Sequence, residues 1–262
     1  MKVRLDRLLV ERGLVPSRER GHALILAGRV LVDEQKVDKA GTAIATDAVI
    51  RVLGDDLPYV SRGGLKLAAA LKHWEIDVRG GTCMDVGAST GGFTDCLLQN
   101  GASRVIAVDT GYGQMDLKLR SDPRVRLLEK TNARYLTPAQ LWPGDTPRDS
   151  IEIIAMDVSF ISATLVLPAV IECVRASGAA QFHLITLVKP QFEVGREQVG
   201  KGGIVRDLEA QQQAVRKVAA TVEQLGGAEV ESIESPILGG EGNREFLLHA
   251  VFAEPLQTAA VH

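Results

Sequence analysis

The sequence predicts an α/β protein, a mostly parallel sheet covered by helices, preceded by a small α+β domain. Two observations carry this. From residue 82 onward, continuous apolar runs alternate with helical stretches, the pattern of a parallel sheet covered on both faces. Ahead of them, residues 1–29 hold seven basic side chains (Lys2, Arg4, Arg7, Arg12, Arg18, Arg20 and Arg29) against three acids (Asp6, Glu11 and Glu19). The whole chain carries −3, so the remainder is acidic, and such asymmetry points to a separate binding module.

The chain has 262 residues, enough to bury a good core in one large domain or two smaller ones. Cys83, Cys96 and Cys173 sit inside apolar runs without metal-ligand spacing. They read as small buried hydrophobes of a reducing cytosol, and no metal site is expected. No N-terminal leader pattern and no run near 18 apolar residues is present, which disfavours secretion and membrane spanning.

In order, residues 3–14 place Leu5, Leu8 and Leu9 on one helical face with Arg4, Arg7 and Arg12 mostly opposite. Gly13 and Pro16 end that helix, and Ser17 caps a second one that runs to Gly28. Arg29–Val32 reads as a strand, residues 33–36 as a turn, and 48–52 as a second edge. Residues 55–59 look like linker. A helix from Lys66 to about His73 follows. Strands are expected at 83–85, 105–109, 125–128, 151–156 and 182–188, with helices at 164–175 and 207–225. Two closing strands near 228–235 and 245–252 should form a hairpin.

The first strand feeds the turn Asp85-Val86-Gly87-Ala88-Ser89-Thr90-Gly91-Gly92-Phe93, and Phe93, Cys96, Leu97 and Leu98 open an amphipathic helix. A strand, a glycine-rich turn and a helix let a nucleotide-like ligand lie against backbone, with Gly87 and Gly91 free to take positive φ. An acid beside a pyrophosphate would repel it, so Asp85 suits a cationic ligand such as S-adenosylmethionine. Asp109 ends the next strand, where an acid accepts both ribose hydroxyls of an adenosine. Other strand ends carry Asp157-Val158-Ser159-Phe160 and Lys189-Pro190-Gln191-Phe192-Glu193. Lys189 directly follows a very apolar run.

Two resemblances follow from these residues. Arg4-Leu5-Asp6-x-Leu8-Leu9, Ser17-Arg18 with Ala23, and Gly28-x-Val30-x-Val32 resemble the small RNA-binding domain first described in a ribosomal protein of the small subunit. The hairpin turn lacks the usual Gly, and Ala40-Gly41 stands where Pro-Gly is common. Further on, Lys66 in Ser-Arg-Gly-Gly-Leu-Lys-Leu, Asp157, Lys189 and Glu245 in Gly-Asn-Arg-Glu-Phe-Leu resemble the Lys-Asp-Lys-Glu tetrad of FtsJ-like ribose methyltransferases. The domain order and the loop Gly200-Lys201-Gly202-Gly203-Ile204-Val205-Arg206 are similar to the TlyA family, often labelled hemolysin.

That resemblance implies a seven-stranded Rossmann-like methyltransferase sheet and S-adenosylmethionine-dependent 2′-O-methylation of cytidine in ribosomal RNA. It implies Lys66, Asp157, Lys189 and Glu245 as catalytic residues. Asp85, Gly87, Ala88, Gly91, Gly92, Phe93 and Asp109 would line the cofactor pocket, with Asn132 near the adenine. Arg4, Arg7, Arg18, Arg20, Arg62, Lys201 and Arg206 would meet RNA. The partners would be ribosomal RNA or ribosomal subunits, and the setting cytoplasmic. The expected division is an RNA-binding domain at 1–57, a linker at 58–62, a methyltransferase domain at 63–253 and a frayed tail at 254–262.

A ribose 2′-hydroxyl is a weak nucleophile and must lose its proton as the methyl carbon arrives. Lys189 can take that proton as a free amine or steady the oxygen as a cation. Desolvation and the Lys66 charge favour the amine, while Asp157 and Glu245 favour the cation. Base methylation fits less well, since no Pro-Pro-aromatic follows Asp157 and no cysteine stands at a strand end. Rival readings are a membrane-active hemolysin and an RNA-binding protein with a silent cofactor pocket.

Overall fold

A computed structural model of the protein describes residues 2–15, 17–52, 58–144, 149–239 and 242–253. Its contacts divide the chain into Met1–Leu57 and Pro58–His262. The expected tail at 254–262, and residues 55–57 of the expected linker, lie outside the described residues.

In the first unit, β1 (Lys2–Arg4) precedes α1 (Leu5–Glu11), α2 (Arg18–Leu26), β2 (Val30–Val32), β3 (Gln35–Lys36), β4 (Ala43–Ala45) and β5 (Ile50–Val52). Val3 and Arg4, expected in the opening helix, are strand instead, and Val3 pairs opposite Ile44 of β4. The short β4 gave no alternating signal, so nothing local announced its partner. The α1 helix buries Leu5, Leu8 and Leu9 as its pattern requires. The Ser17 hydroxyl caps α2, accepting from the Arg20 amide at 3.2 Å. Of the turn expected at 33–36, only Asp33 and Glu34 remain outside strand, both at positive φ (48° and 63°). Two successive left-handed residues match the twist of a two-residue hairpin. The Asp33 carboxylate steadies this glycine-free turn by accepting from the Val49 amide at 3.0 Å.

The second unit runs α3 (Gly63–His73), β6 (Thr82–Val86), α4 (Gly92–Gln99), β7 (Arg104–Val108), α5 (Leu117–Arg120), β8 (Val125–Leu128) and α6 (Pro138–Leu141). It continues with β9 (Ile151–Met156), α7 (Ala163–Arg175), β10 (Gln181–Val188), α8 (Pro190–Glu193), α9 (Leu208–Gln224), β11 (Ala228–Glu234) and β12 (Phe246–Ala253). Seven strands form one sheet in the order β11-β12-β10-β9-β6-β7-β8. Only β12 runs against its neighbours, so the closing hairpin is present as expected. Two apolar cores flank the sheet, one under α3 and α4 and the other under α7 and α9.

The chain moves outward from β6 through β7 to β8, then returns to place β9 on the other side of β6. Ligands of such sheets bind at this reversal, beyond the carboxyl ends of the strands. There Gly87 and Asp157 follow β6 and β9 side by side.

The α4 helix departs from its expected amphipathic form. Every residue from Gly92 to Leu98 is buried. The cause is the segment 58–62, which packs on α4 rather than spanning open space: the Val60 amide donates to the buried Asp95 carboxylate at 2.8 Å. A Cβ on Gly64 would collide with the Tyr59 side chain. The three cysteines are fully buried, and burial pushes the Cys83 and Cys96 thiols up to about 12, where they are inert.

Candidate active site

Gly87 leads from β6 into the turn at φ +87°, and a Cβ there would run into the Asp157 carbonyl. Bare backbone at the switch point therefore lets two strand ends close on each other. A cleft of about 300 Å³ opens on one side, lined by Gly87, Ser89, Asp109, Asn132, Asp157 and Phe160 among others. A second, of about 240 Å³, is lined by Arg62, Lys66, Gly87, Ala88, Gly92, Phe93 and Asp157. The shared Gly87, Ser89 and Asp157 make them one continuous trough.

Asp109 is held rigidly in that trough. Its Oδ2 accepts from the Ser89 amide at 2.7 Å and its Oδ1 from the Gly111 amide at 2.6 Å. Each oxygen keeps a lone pair for a further donor, which suits a pair of ribose hydroxyls. Asn132 lines the same cleft while its Oδ1 accepts from the Arg134 amide, capping the 3-10 turn Ala133–Tyr135. It is at once a turn residue and a wall.

Two expected cofactor residues, Asp85 and Gly91, line neither cleft, and a third, Gly92, is glycine for a packing reason. Asp85 is 1 % exposed and lines neither cleft; its Oδ2 accepts from the Thr94 amide at 2.9 Å and the Thr94 hydroxyl at 2.6 Å. Its Oδ1 has no hydrogen-bond partner. Burial raises its pKa to about 7 against the opposing pull of Thr94. The expectation that Asp85 lines the cofactor pocket is corrected: it lines neither cleft, and its half-satisfied carboxyl is buried behind the turn. Gly91 (φ +94°) is glycine because a side chain would strike Leu119. Gly92, although it borders the second cleft, is required by Ser61, whose hydroxyl a Cβ would meet.

The Asp85 carboxyl gives a pH signature. Its folded pKa lies above the ordinary 3.8, so it stabilises the fold below that value and the contribution is lost as pH rises through about 7. Asp85→Asn keeps an acceptor for Thr94 and removes the titration. Thermal unfolding should show the variant gaining more stability over wild type at pH 8 than at pH 5; an equal difference at both would contradict the shift.

The tetrad residues are brought together around the trough. Lys66 on α3 reaches Glu245, just before β12, in a buried ion pair. Lys189, after β10, sits 2.6 Å from Asp157 Oδ1 and donates to the Ser159 hydroxyl at 2.6 Å. Lys189 and Glu245 also line a third cleft of about 380 Å³ with Ser159, Phe160, Gln191, Phe192 and Asn243. Ser159 and Phe160 border both this cleft and the first.

Sequence reasoning passed over three features here. Phe160 is 92 % exposed at positive φ (64°), with its ring 5.4 Å from that of Phe192 at the mouth of the third cleft. An exposed aromatic on left-handed backbone at a cleft makes Phe160 a candidate ligand contact. Ser159 holds Lys189. Glu193, 7 % exposed, accepts from the Ser162 hydroxyl at 2.5 Å and the Ala163 amide at 2.7 Å, tying the loop after β10 to the loop after β9. The sequence did offer one signal, since all three lie within the two motifs that follow these strands.

The expected RNA-contacting residues are dispersed. Arg62 borders the second cleft. Lys201 and Arg206 are exposed, and Arg206 shares a shallow cleft with Arg244. Asn243 pins their loop, accepting from the Val205 amide at 3.0 Å and donating to the Gly203 carbonyl at 2.9 Å. In the first unit Arg4 and Arg18 pair with Asp6, Arg7 pairs with Glu11, and Arg20 is half-buried. Among the described residues no His, Cys, Asp and Glu cluster could hold a metal, and no helix is long and apolar enough to cross a membrane.

Residues 59–252 match the FtsJ-like methyltransferase family, and residues 3–50 match the S4 domain. A 16S/23S rRNA (cytidine-2′-O)-methyltransferase TlyA from Mycobacterium tuberculosis is 44% identical over 94% of this chain and 89% of its own length. The chain belongs to the TlyA family of FtsJ-like methyltransferases. YqxC of Bacillus subtilis, named as a candidate rRNA methyltransferase, is 48% identical over 95% of this TlyA-family chain and 85% of its own. A solved structure of a candidate hemolysin from Streptococcus thermophilus superposes with a TM-score of 0.72 at 40% identity, covering 97% of this chain and 89% of that one. The TlyA-family enzyme is thus a methyltransferase with an S4 domain at its N-terminus.

Proposed function

We propose that the protein transfers a methyl group from S-adenosylmethionine to the 2′-oxygen of a cytidine in ribosomal RNA, docking through its S4 domain. The observation that carries this reading is that Lys66 and Asp157 line the second cleft while their ion-pair partners, Glu245 and Lys189, line the third. The named specificity of the Mycobacterium tuberculosis relative supports the choice of cytidine and ribosomal RNA.

The donor, when bound, supplies a methyl group on a cationic sulfur that leaves as a neutral thioether. In the first cleft Asp109 would accept from the donor's ribose hydroxyls and Asn132 would stand beside its base. Asp157, which borders the second cleft, would face the cationic end. A target nucleotide turned out of its helix enters the third cleft, where Phe160 and Phe192 present aromatic surface for a base. Lys189 meets the 2′-hydroxyl and offsets the negative charge that grows on its oxygen, and the proton passes into the Lys189–Asp157 pair. The Lys66–Glu245 pair fixes the opposite wall. Much of the acceleration comes from alignment, which holds the oxygen in line with the methyl–sulfur bond.

Incubating ribosomal subunits with the protein and S-adenosylmethionine, then mapping 2′-O-methyl positions, should reveal new cytidine ribose methyls that depend on the enzyme. Methyl groups appearing on bases, or none at all, would defeat the reading.

A further inference from the structure

On the first unit one acid decides how two arginines stand. Asp6 is 4 % exposed. Arg4 donates from Nε to Oδ1 and from Nη2 to Oδ2, both at 3.0 Å, and Arg18 donates from Nη2 to the same Oδ2 at 2.9 Å. The Arg7 amide also donates to Oδ1, at 3.0 Å. Both guanidinium side chains remain more than half exposed. Arg4 belongs to β1 and Arg18 to α2, so local structure alone would not bring these like charges together. Their attraction holds the Asp6 carboxyl well below the usual range, Arg4 contributing most.

Exposed ion pairs are usually weak, but a buried carboxylate cannot readily release its partners. The bonds to Asp6 leave Arg4 Nη1 and the Nε and Nη1 of Arg18 for other acceptors. Two guanidinium groups on one carboxylate leave one net positive charge, which matches one phosphodiester, and guanidinium forks suit phosphate oxygens.

We propose that Asp6 is a positioning residue that joins Arg4 and Arg18 into one two-pronged site for a backbone phosphate of folded RNA. The inference rests on the RNA-docking reading above and deepens it. Net charge and positioning predict opposite outcomes for Asp6→Asn. The substitution adds one positive charge to the face, so charge alone tightens binding. Loss of the clamp loosens it.

The test is filter binding of the full-length protein to ribosomal RNA extracted from large subunits, across a range of KCl. Arg4→Ala and Arg18→Ala should each weaken binding about fivefold and lower the salt slope by about one. Asp6→Asn should weaken binding by a similar factor, and combining it with Arg18→Ala should add little. Arg4→Lys keeps the charge but cannot grip both carboxylate oxygens, so it should weaken binding too. If Asp6→Asn binds as tightly as wild type or more so while the alanine variants weaken, the clamp is wrong and the docking face stands. If both alanine variants bind like wild type, the docking reading fails and the clamp with it. Should Asp6→Asn lose its helical circular dichroism, Arg4→Lys decides, and unchanged binding by that variant overturns the proposal.

Discussion

Lys189→Ala should reduce methyl transfer to ribosomal subunits by about 10²–10⁴-fold, the range expected when a positioned acid–base group or a charge-stabilising donor is removed. The loss should fall on kcat. Lys189 borders the third cleft, whereas the donor trough is built from Gly87, Ser89, Asp109 and Asp157. Calorimetric affinity for S-adenosylmethionine should therefore stay close to wild type. Removing a buried cation can leave its partner exposed to penalty, but Asp157 retains 21% of its side-chain surface and can be hydrated. The fold should survive, as a thermal melt would show. Undiminished transfer would remove Lys189 from the chemistry and leave its pairing with Asp157 and Ser159 purely structural.

Gly87→Ala should do the converse, destroying donor binding. The new methyl would meet the Asp157 carbonyl group, with its carbon only 2.9 Å and the Val158 Cα only 3.3 Å away, and both are backbone. Neither can step aside without moving the end of β9. The φ of +87° adds roughly 1–2 kcal/mol of left-handed strain for any side chain. Both donor clefts share this residue, so the displacement closes them together. S-adenosylmethionine affinity should fall by more than about tenfold, the equivalent of 1.4 kcal/mol, and Tm should drop by several degrees. Gly113→Ala serves as the control: it shares positive φ (70°) but its Cβ would meet nothing within 4 Å. That variant should lose some stability and retain donor binding. Equal donor affinity in Gly87→Ala and wild type would show that the turn does not shape the site.

Legibility followed how local each determinant is. β9, Ile151–Met156, is apolar and buried except at Glu152, and its bounds were readable because a strand buried on both faces needs no partner to declare itself. β1 and β4 were not readable, since each is three residues long and half exposed and becomes a strand only by pairing with the other. Asp85 and Gly91 show the same division within the site. Residue type and position marked both as special, but whether they touch a ligand or support the wall behind it depended on Thr94 and Leu119. Phe160 went unremarked because exposure is a property of the folded surface.

By itself the sequence determined the sheet, the glycine-rich turn, the acids at successive strand ends and the four charged residues of the two ion pairs. These are matters of periodicity and residue chemistry, written along the chain. Only the tertiary structure decided that Lys66 pairs with Glu245 and Lys189 with Asp157, and that Asp6 gathers Arg4 and Arg18. Pairing between residues far apart in sequence depends on how strands order themselves in the sheet and helices pack on them, and no local pattern records that order.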